Sequence, residues 1–284
     1  MEKEMRNIQQ ALDIAIRDSK NEEILSGYEV DGRRYSNYLS NSAWCEFKEA
    51  MRKTPFYNQY NRGAGGELEE KRGRWGLYPP KMACFGSSSR VTYVYLKDVP
   101  NICFEEQLDT IVGGRANLDA ALHKEGCDIF IEAKCREIYS NHKGSKAYMA
   151  VYNAIGSNFK CDANTLQFTF DKHEINHLDI KQLICHFLAI SAGILKGEVK
   201  PNIHFVYFIF NPEHIKGYID KKYREKILGI YKDTLAEIKL FGEMKWLFDA
   251  VFDFQSKKLN KEKPDYNFRF AVAEQYGIKD LLIK

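Results

Sequence analysis

Two strand-patterned runs near the middle of the chain, residues 117–123 and 128–134, are separated only by Lys124-Glu125-Gly126-Cys127. Side chains alternate faces along a strand. Ile129 and Ile131 therefore share one face of the second run, and Glu132 and Lys134 share the other. In the first run Leu118, Ala120 and Leu122 point one way and Asp119 the opposite way. Paired as a hairpin, the two runs bring Asp119, Glu132 and Lys134 to one spot.

The surroundings mix helix and strand patterns. Met5, Ile8, Leu12, Ala15 and Ile16 recur at helical spacing and predict a helix over residues 4–19. A second helix is predicted over residues 42–52, closed by Pro55. Residues 58–90 hold Gly63, Gly65, Gly66, Gly73, Gly76, Gly86 and Pro79-Pro80, which predicts a long loop without regular structure. Residues 90–96, Arg-Val-Thr-Tyr-Val-Tyr-Leu, have strand composition. Further on, helices are predicted over 145–155 and 179–196, the latter ended by Gly197, with strands over 166–170 and 203–210. The remainder, from Glu213, reads as mostly helical. No linker cuts the chain. The expectation is one α/β domain over 1–284 with a core at about 85–212. Helices and the glycine-rich loop would precede it over residues 1–84, and a helical C-terminal region would follow over residues 213–284.

Composition narrows the class. With 18 Phe, 17 Tyr and 3 Trp the chain has ample material for burial. A formal charge of +3 does not by itself point to an acidic partner, so a nucleic-acid site must show as a local cluster. The 7 Cys are irregularly spaced and make no C-x-x-C, so buried free thiols in a reducing compartment are expected. The charged start and the lack of a long apolar run suggest a cytoplasmic protein with no membrane partner.

Two carboxylates and an ammonium at one point suit a particular chemistry. Carboxylate oxygens hold Mg²⁺, which keeps several waters and also binds phosphate oxygen. Such a metal offsets charge on the phosphate and lowers the pKa of bound water. Lys134 would steady the attacking water or the pentavalent transition state. That combination hydrolyses a phosphodiester.

The pattern resembles the PD-(D/E)XK nuclease superfamily, whose signature is an acid on one strand and D/E-x-K on the next. Here it maps to Asp119 and then Glu132-Ala133-Lys134, with Leu118 in place of the nominal Pro. Gly65-Gly66-Glu67-Leu68, Pro79-Pro80-Lys81-Met82, Phe85-Gly86-Ser87-Ser88-Ser89-Arg90 and Phe130-Ile131-Glu132-Ala133-Lys134-Cys135 resemble a prokaryotic restriction-endonuclease-like branch, over roughly residues 60–210. The resemblance implies a restriction-endonuclease-like core, a central mixed β-sheet flanked by helices, with helical additions at both termini. It implies a Mg²⁺-dependent DNA endonuclease of restriction type, with Mn²⁺ able to substitute. Asp119 and Glu132 would ligate the metal. Glu105 is the positional match for an upstream acid of the superfamily, with Glu106 as the alternative. Double-strand cutting would suit a homodimer.

Gln182 and His186 lie four apart on one helical face, away from Leu183, Phe187 and Ile190. Several families of this fold place a Gln on a helix after the E-x-K strand, and Gln182 matches that by order. Asp179-Ile180-Lys181-Gln182 equally reads as a capping box.

In the glycine-rich stretch Arg62, Arg72, Arg74, Lys81 and Arg90 sit among Tyr57, Tyr60, Trp75, Tyr78 and Phe85, diluted by Glu67, Glu69 and Glu70. Basic groups neutralise phosphates and aromatics stack on bases, so these residues, with Arg115, are the candidate DNA contacts. Two other readings compete. One is a nuclease fold that binds DNA without cutting it. The other is a zinc metallopeptidase using His173-Glu174-x-x-His177, which would require that motif to lie on a helix; the flanking patterns place it in a connecting turn.

Overall fold

The computed structural model describes residues 2–20, 27–62, 67–74, 76–110 and 114–283. Helix α1 (Glu2–Ser19) buries Ile8, Leu12, Ala15 and Ile16, the stripe predicted by their spacing. A hairpin of β1 (Tyr28–Val30) and β2 (Arg33–Tyr35) follows, then α2 (Asn41–Arg52), whose N-terminus is capped by the Ser40 hydroxyl accepting from Ala43 N. Next come α3 (Phe56–Arg62), a second hairpin of β3 (Lys71–Gly73) and β4 (Gly76–Tyr78), and α4 (Ser88–Leu96). The stretch expected to lack regular structure thus carries the end of α3, a hairpin and a turn of 3-10 helix at Lys81–Ala83.

Residues 90–96 are helical, not a strand. Short apolar runs do not distinguish the two periods, and β-branched composition yields to packing. Here Ser87 O accepts from Val91 N at 2.9 Å, and the Thr92 hydroxyl donates back to Ser88 O at 2.8 Å. The resulting turn buries Val91, Tyr93 and Leu96.

The central strands are β5 (Ile102–Asp109), β6 (Arg115–Lys124) and β7 (Cys127–Lys134), all antiparallel. A long crossover carries α5 (Met149–Ala154), a small antiparallel sheet of β8 (Phe159–Cys161), β9 (Phe168–Phe170) and β10 (His173–Ile175), and α6 (Ile180–Lys196). It delivers β11 (Asn202–Ile209) parallel to β7. Then α7 (Lys221–Leu240) and α8 (Lys245–Leu259) lead to β12 (Asn267–Ala273), parallel to β11, and to α9 (Ile278–Ile283). The five-stranded mixed sheet runs β12-β11-β7-β6-β5. Its edge strand β12 comes from the region expected to be helical, so the sheet extends past residue 212.

Helices cover both faces of this sheet. Residues of α1 and α4 pack with Ala120, Leu122, Ile129, Ile131 and Phe208 on one side. On the other, Leu183 and Phe187 of α6 and Phe248 and Val251 of α8 pack with Phe130, Phe205 and Tyr207. The fold is therefore α/β, with a mixed sheet between helical layers. Among the described residues no helix is long and apolar enough to cross a membrane. All the cysteines are free thiols, but only Cys84 and Cys135 are buried; Cys45 is exposed and the rest are intermediate.

The far end of the β6–β7 hairpin carries a pH-sensitive contact. Buried Asp128 accepts from Lys200 N at 2.7 Å and Lys200 Nζ at 3.0 Å, and lies 2.9 Å from His123 Nδ1. Glu106 and Asp128 raise the His123 imidazolium to about 9 against the opposing effect of burial. A raised histidine stabilises the fold fully below its unfolded value, and that contribution disappears as pH rises through the folded value. The ring is partly exposed and screened by solvent, so the effect should be about 1 kcal/mol. Urea unfolding of wild type and His123→Ala at pH 6 and pH 10 should show the gap between them closing at the higher pH. An unchanged gap would remove His123 as the cause.

Candidate active site

The site begins where the sheet stops being regular. The β6–β7 ladder runs from Lys124↔Cys127 to Ala120↔Ile131 and lapses before Asp119. The β5–β6 ladder pairs Phe104↔Ala120 and Glu106↔Leu118 and skips Glu105 and Asp119. Glu105 itself sits at φ 52, in the left-handed region that costs a non-glycine residue energy. In place of a backbone partner, Ala133 N donates to Asp119 Oδ2 at 2.8 Å. The interruption also breaks the expected alternation. Leu118 packs with Ala121 and Phe130, whereas Ala120 and Leu122 pack in the cluster on the opposite side.

On the α6 side, Glu132 and Lys134 are buried, at 1% and 5% exposure. Lys134 Nζ donates to Glu132 Oε1 at 2.7 Å and to Gln182 Oε1 at 2.5 Å. His186 Nε2 lies 2.9 Å from Glu132 Oε2. Asp179 caps α6, accepting from Gln182 N at 3.0 Å. The cap therefore uses the Gln182 backbone, and its side chain is given to the lysine instead of closing a capping box. Burial would raise the Glu132 carboxyl, but Lys134 and His186 outweigh it and hold the group low. Burial would likewise discharge Lys134, and Glu132 reverses that, so the ammonium stays charged.

The remaining carboxylates are in the opposite condition. Asp119 is pushed well above the usual carboxylate range, first by burial and then by Glu132 and Glu105. Glu105 is pushed up to about 8 by burial and by Glu67, against the pull of Lys81. Glu106 instead faces His123 on the other side, which selects Glu105 as the upstream acid near Asp119.

Three residues in this neighbourhood escaped the sequence reading of the site. Glu67 looked like a diluting surface charge but is buried; the Ser89 hydroxyl donates to it at 2.7 Å and Lys81 Nζ at 2.9 Å. Its place in the Gly-Gly-Glu-Leu string was the available signal. His186 was visible as the i+4 neighbour of Gln182 but had no assigned partner. Tyr207 lies directly opposite Glu132 in the β7–β11 register. Its hydroxyl is buried with no hydrogen-bond partner among the described residues, beside the Lys134 and Glu132 charges. A polar atom in the apolar run of β11 was its only sequence signal.

The candidate DNA contacts divide. Arg72 and Arg74 are exposed. Lys81 is exposed but bound to Glu67, and Arg115 is exposed and bound to Asp109 at 3.1 Å. Arg90 is a correction: it is buried, with its guanidinium against the Phe47 and Phe85 rings and Nη1 donating to Met82 O at 3.3 Å, so it holds the core and does not face solvent. The Arg62 side chain, Gly63, Gly65, Gly66 and Trp75 lie outside the described residues.

The His173-Glu174-x-x-His177 motif is not helical. His173 and Glu174 are on β10 and His177 is in the turn beyond it. That turn is held by the Glu237 carboxylate, which accepts from the backbone N–H groups of Asn176, His177 and Leu178. The i, i+4 histidine face that a zinc peptidase needs is therefore not formed.

Donor chemistry at Asp119, Glu105 and Glu132 fits a hard divalent cation: the groups are carboxylates, partly or wholly desolvated, and burial with the charge of neighbouring carboxylates pushes Asp119 and Glu105 up, a condition that a cation would relieve. Among the described residues no group of three or more acids, histidines or cysteines is arranged to hold a metal ion. No family model matches the chain, nor does any curated protein or solved structure.

Proposed function

We propose that the chain is a Mg²⁺-dependent DNA endonuclease with a restriction-endonuclease-like core. The observation that carries this reading is the meeting of Asp119 and Glu132-Ala133-Lys134 where the β6–β7 ladder lapses, with the lysine charged and oriented. Asp119 and Glu132, helped by Glu105, would hold the metal. When bound, the metal would supply charge to the scissile phosphate and lower the pKa of an attacking water. Lys134 acts on the same phosphate. Its ammonium is held by Glu132 and Gln182, so it meets the developing negative charge without reorganising. In the reaction a water gives up one proton as its oxygen bonds to phosphorus, one P–O ester bond breaks, and the leaving oxygen takes up a proton in exchange. Arg72, Arg74 and Arg115, all exposed, would neutralise flanking phosphates. A homodimer would pair two such sites for double-strand cutting.

Incubation of mixed plasmid and phage DNA with the protein in Mg²⁺ or Mn²⁺, beside an EDTA control and Asp119→Asn, tests this reading. Metal-dependent cutting that the variant loses is expected. DNA binding without cutting in any divalent metal would leave a binding module on the same fold.

A further inference from the structure

Each oxygen of Glu132 has a cationic or imidazole nitrogen of the protein within 2.9 Å. Lys134 takes Oε1, and His186 Nε2 approaches Oε2 at 2.9 Å, out of line for a full hydrogen bond. His186 is 2% exposed on α6, among the buried Leu183, Ile184, Phe187 and Leu188. Burying an imidazole there costs free energy that an apolar side chain of similar size would not. Packing alone therefore does not account for the residue, and the Glu132 carboxylate is the charged group it faces.

We propose that His186 is a positioning residue for Glu132, fixing its carboxylate plane so that it can join a divalent cation beside Asp119; this rests on the nuclease reading above. Lys134 anchors one oxygen of a side chain with a broad terminal rotor. One anchor leaves the carboxylate free to turn. A donor at the second oxygen stops the rotation. Each carboxylate oxygen offers two lone-pair sites, so engagement by Lys134 and His186 leaves one on each for a metal. The misaligned approach is consistent with this role, since hydrogen bonds at such sites are often loose before the ligand binds and tighten with it. Partners that orient a ligating carboxylate commonly contribute 10–100-fold to metal affinity or activity.

His186→Met and His186→Gln test this as a pair. Both fill the volume, and only Gln supplies a donor. Mn²⁺ binding, titrated by electron paramagnetic resonance, should weaken about 10–100-fold in His186→Met and recover most of the way in His186→Gln. Their melting temperatures should stay within a few degrees of each other. In a Glu132→Gln background, His186→Met should weaken binding no further, because the two residues act as one unit. Equal Mn²⁺ affinity in wild type and His186→Met, equal loss in Met and Gln, or additive losses in the double variant would each overturn the proposal. A wild type that binds no Mn²⁺ overturns it as well. Wild-type protein that binds Mn²⁺ in a His186-dependent way but cuts no DNA would uphold the positioning role and sink the nuclease reading.

Discussion

Replacing Lys134 by Ala should lower metal-dependent DNA cleavage by about 10²–10³-fold, the usual cost of losing one preorganised donor to a developing oxyanion. The lysine is suited to that role because its charge is already fixed: Glu132 offsets the burial that would discharge it, and Gln182 holds the ammonium from the other side. Truncation has a second consequence. It leaves Glu132 buried with only His186 against it, and breaking one partner out of a buried pair costs about 3–5 kcal/mol. Activity and stability must therefore be separated. Lys134→Gln, one bond shorter, keeps a hydrogen-bond donor but not the charge, and should lose cleavage nearly as fully while losing less melting temperature. Single-turnover cleavage well below the melting temperature of each variant gives the comparison. Cutting retained by either variant would remove Lys134 from the chemistry.

The features of this site that could be read in the sequence are those fixed by a two-residue period. Asp119, Glu132 and Lys134 are brought together through β6 and β7, and pairing of the two runs depends only on alternation and a short turn. The N-cap at Asp179 and the stop at Gly197 gave α6 its bounds, and so placed Gln182 and His186. What escaped depends on long-range contact. Arg90 lies in a run whose composition suits a strand, and the α4 turn that buries it is set by packing against Phe47 and Phe85. Leu118 follows strand alternation in the sequence, and the break that turns it over falls where Glu105 and Asp119 drop out of the β5–β6 pairing. Glu67 enters the site through Ser89 and Lys81, both distant in sequence. Strand β12 is separated from its partner β11 by α7 and α8, so no local pattern announces the pairing.

Asp13→Ala should destabilise the protein by about 3–5 kcal/mol, because Asp13 is the buried anchor between α1 and the chain just beyond Lys134. Its carboxylate is 0% exposed. Oδ2 accepts from Asn37 Nδ2 at 2.7 Å, Arg136 Nη1 at 3.3 Å and Cys84 Sγ at 3.4 Å. From the same helix Gln9 Nε2 donates to Arg136 O at 3.1 Å and to the Ser140 hydroxyl at 2.8 Å. Removing the carboxylate takes from the part-buried Arg136 guanidinium its carboxylate partner. Burial raises Asp13 against the pull of Arg136, so some of the benefit lies in hydrogen bonding that a neutral group can supply. Asp13→Asn should therefore lose less than half as much. At about 2–4 °C per kcal/mol for a domain of this size, Asp13→Ala should melt roughly 10 °C below wild type. Gly86→Ala should act on the same cluster, since an added Cβ would run into the Asp13 carboxylate. A melting temperature for Asp13→Ala within about 2 °C of wild type would mean that α1 is held by its apolar stripe alone, leaving the segment after Lys134 to be fixed from the sheet side.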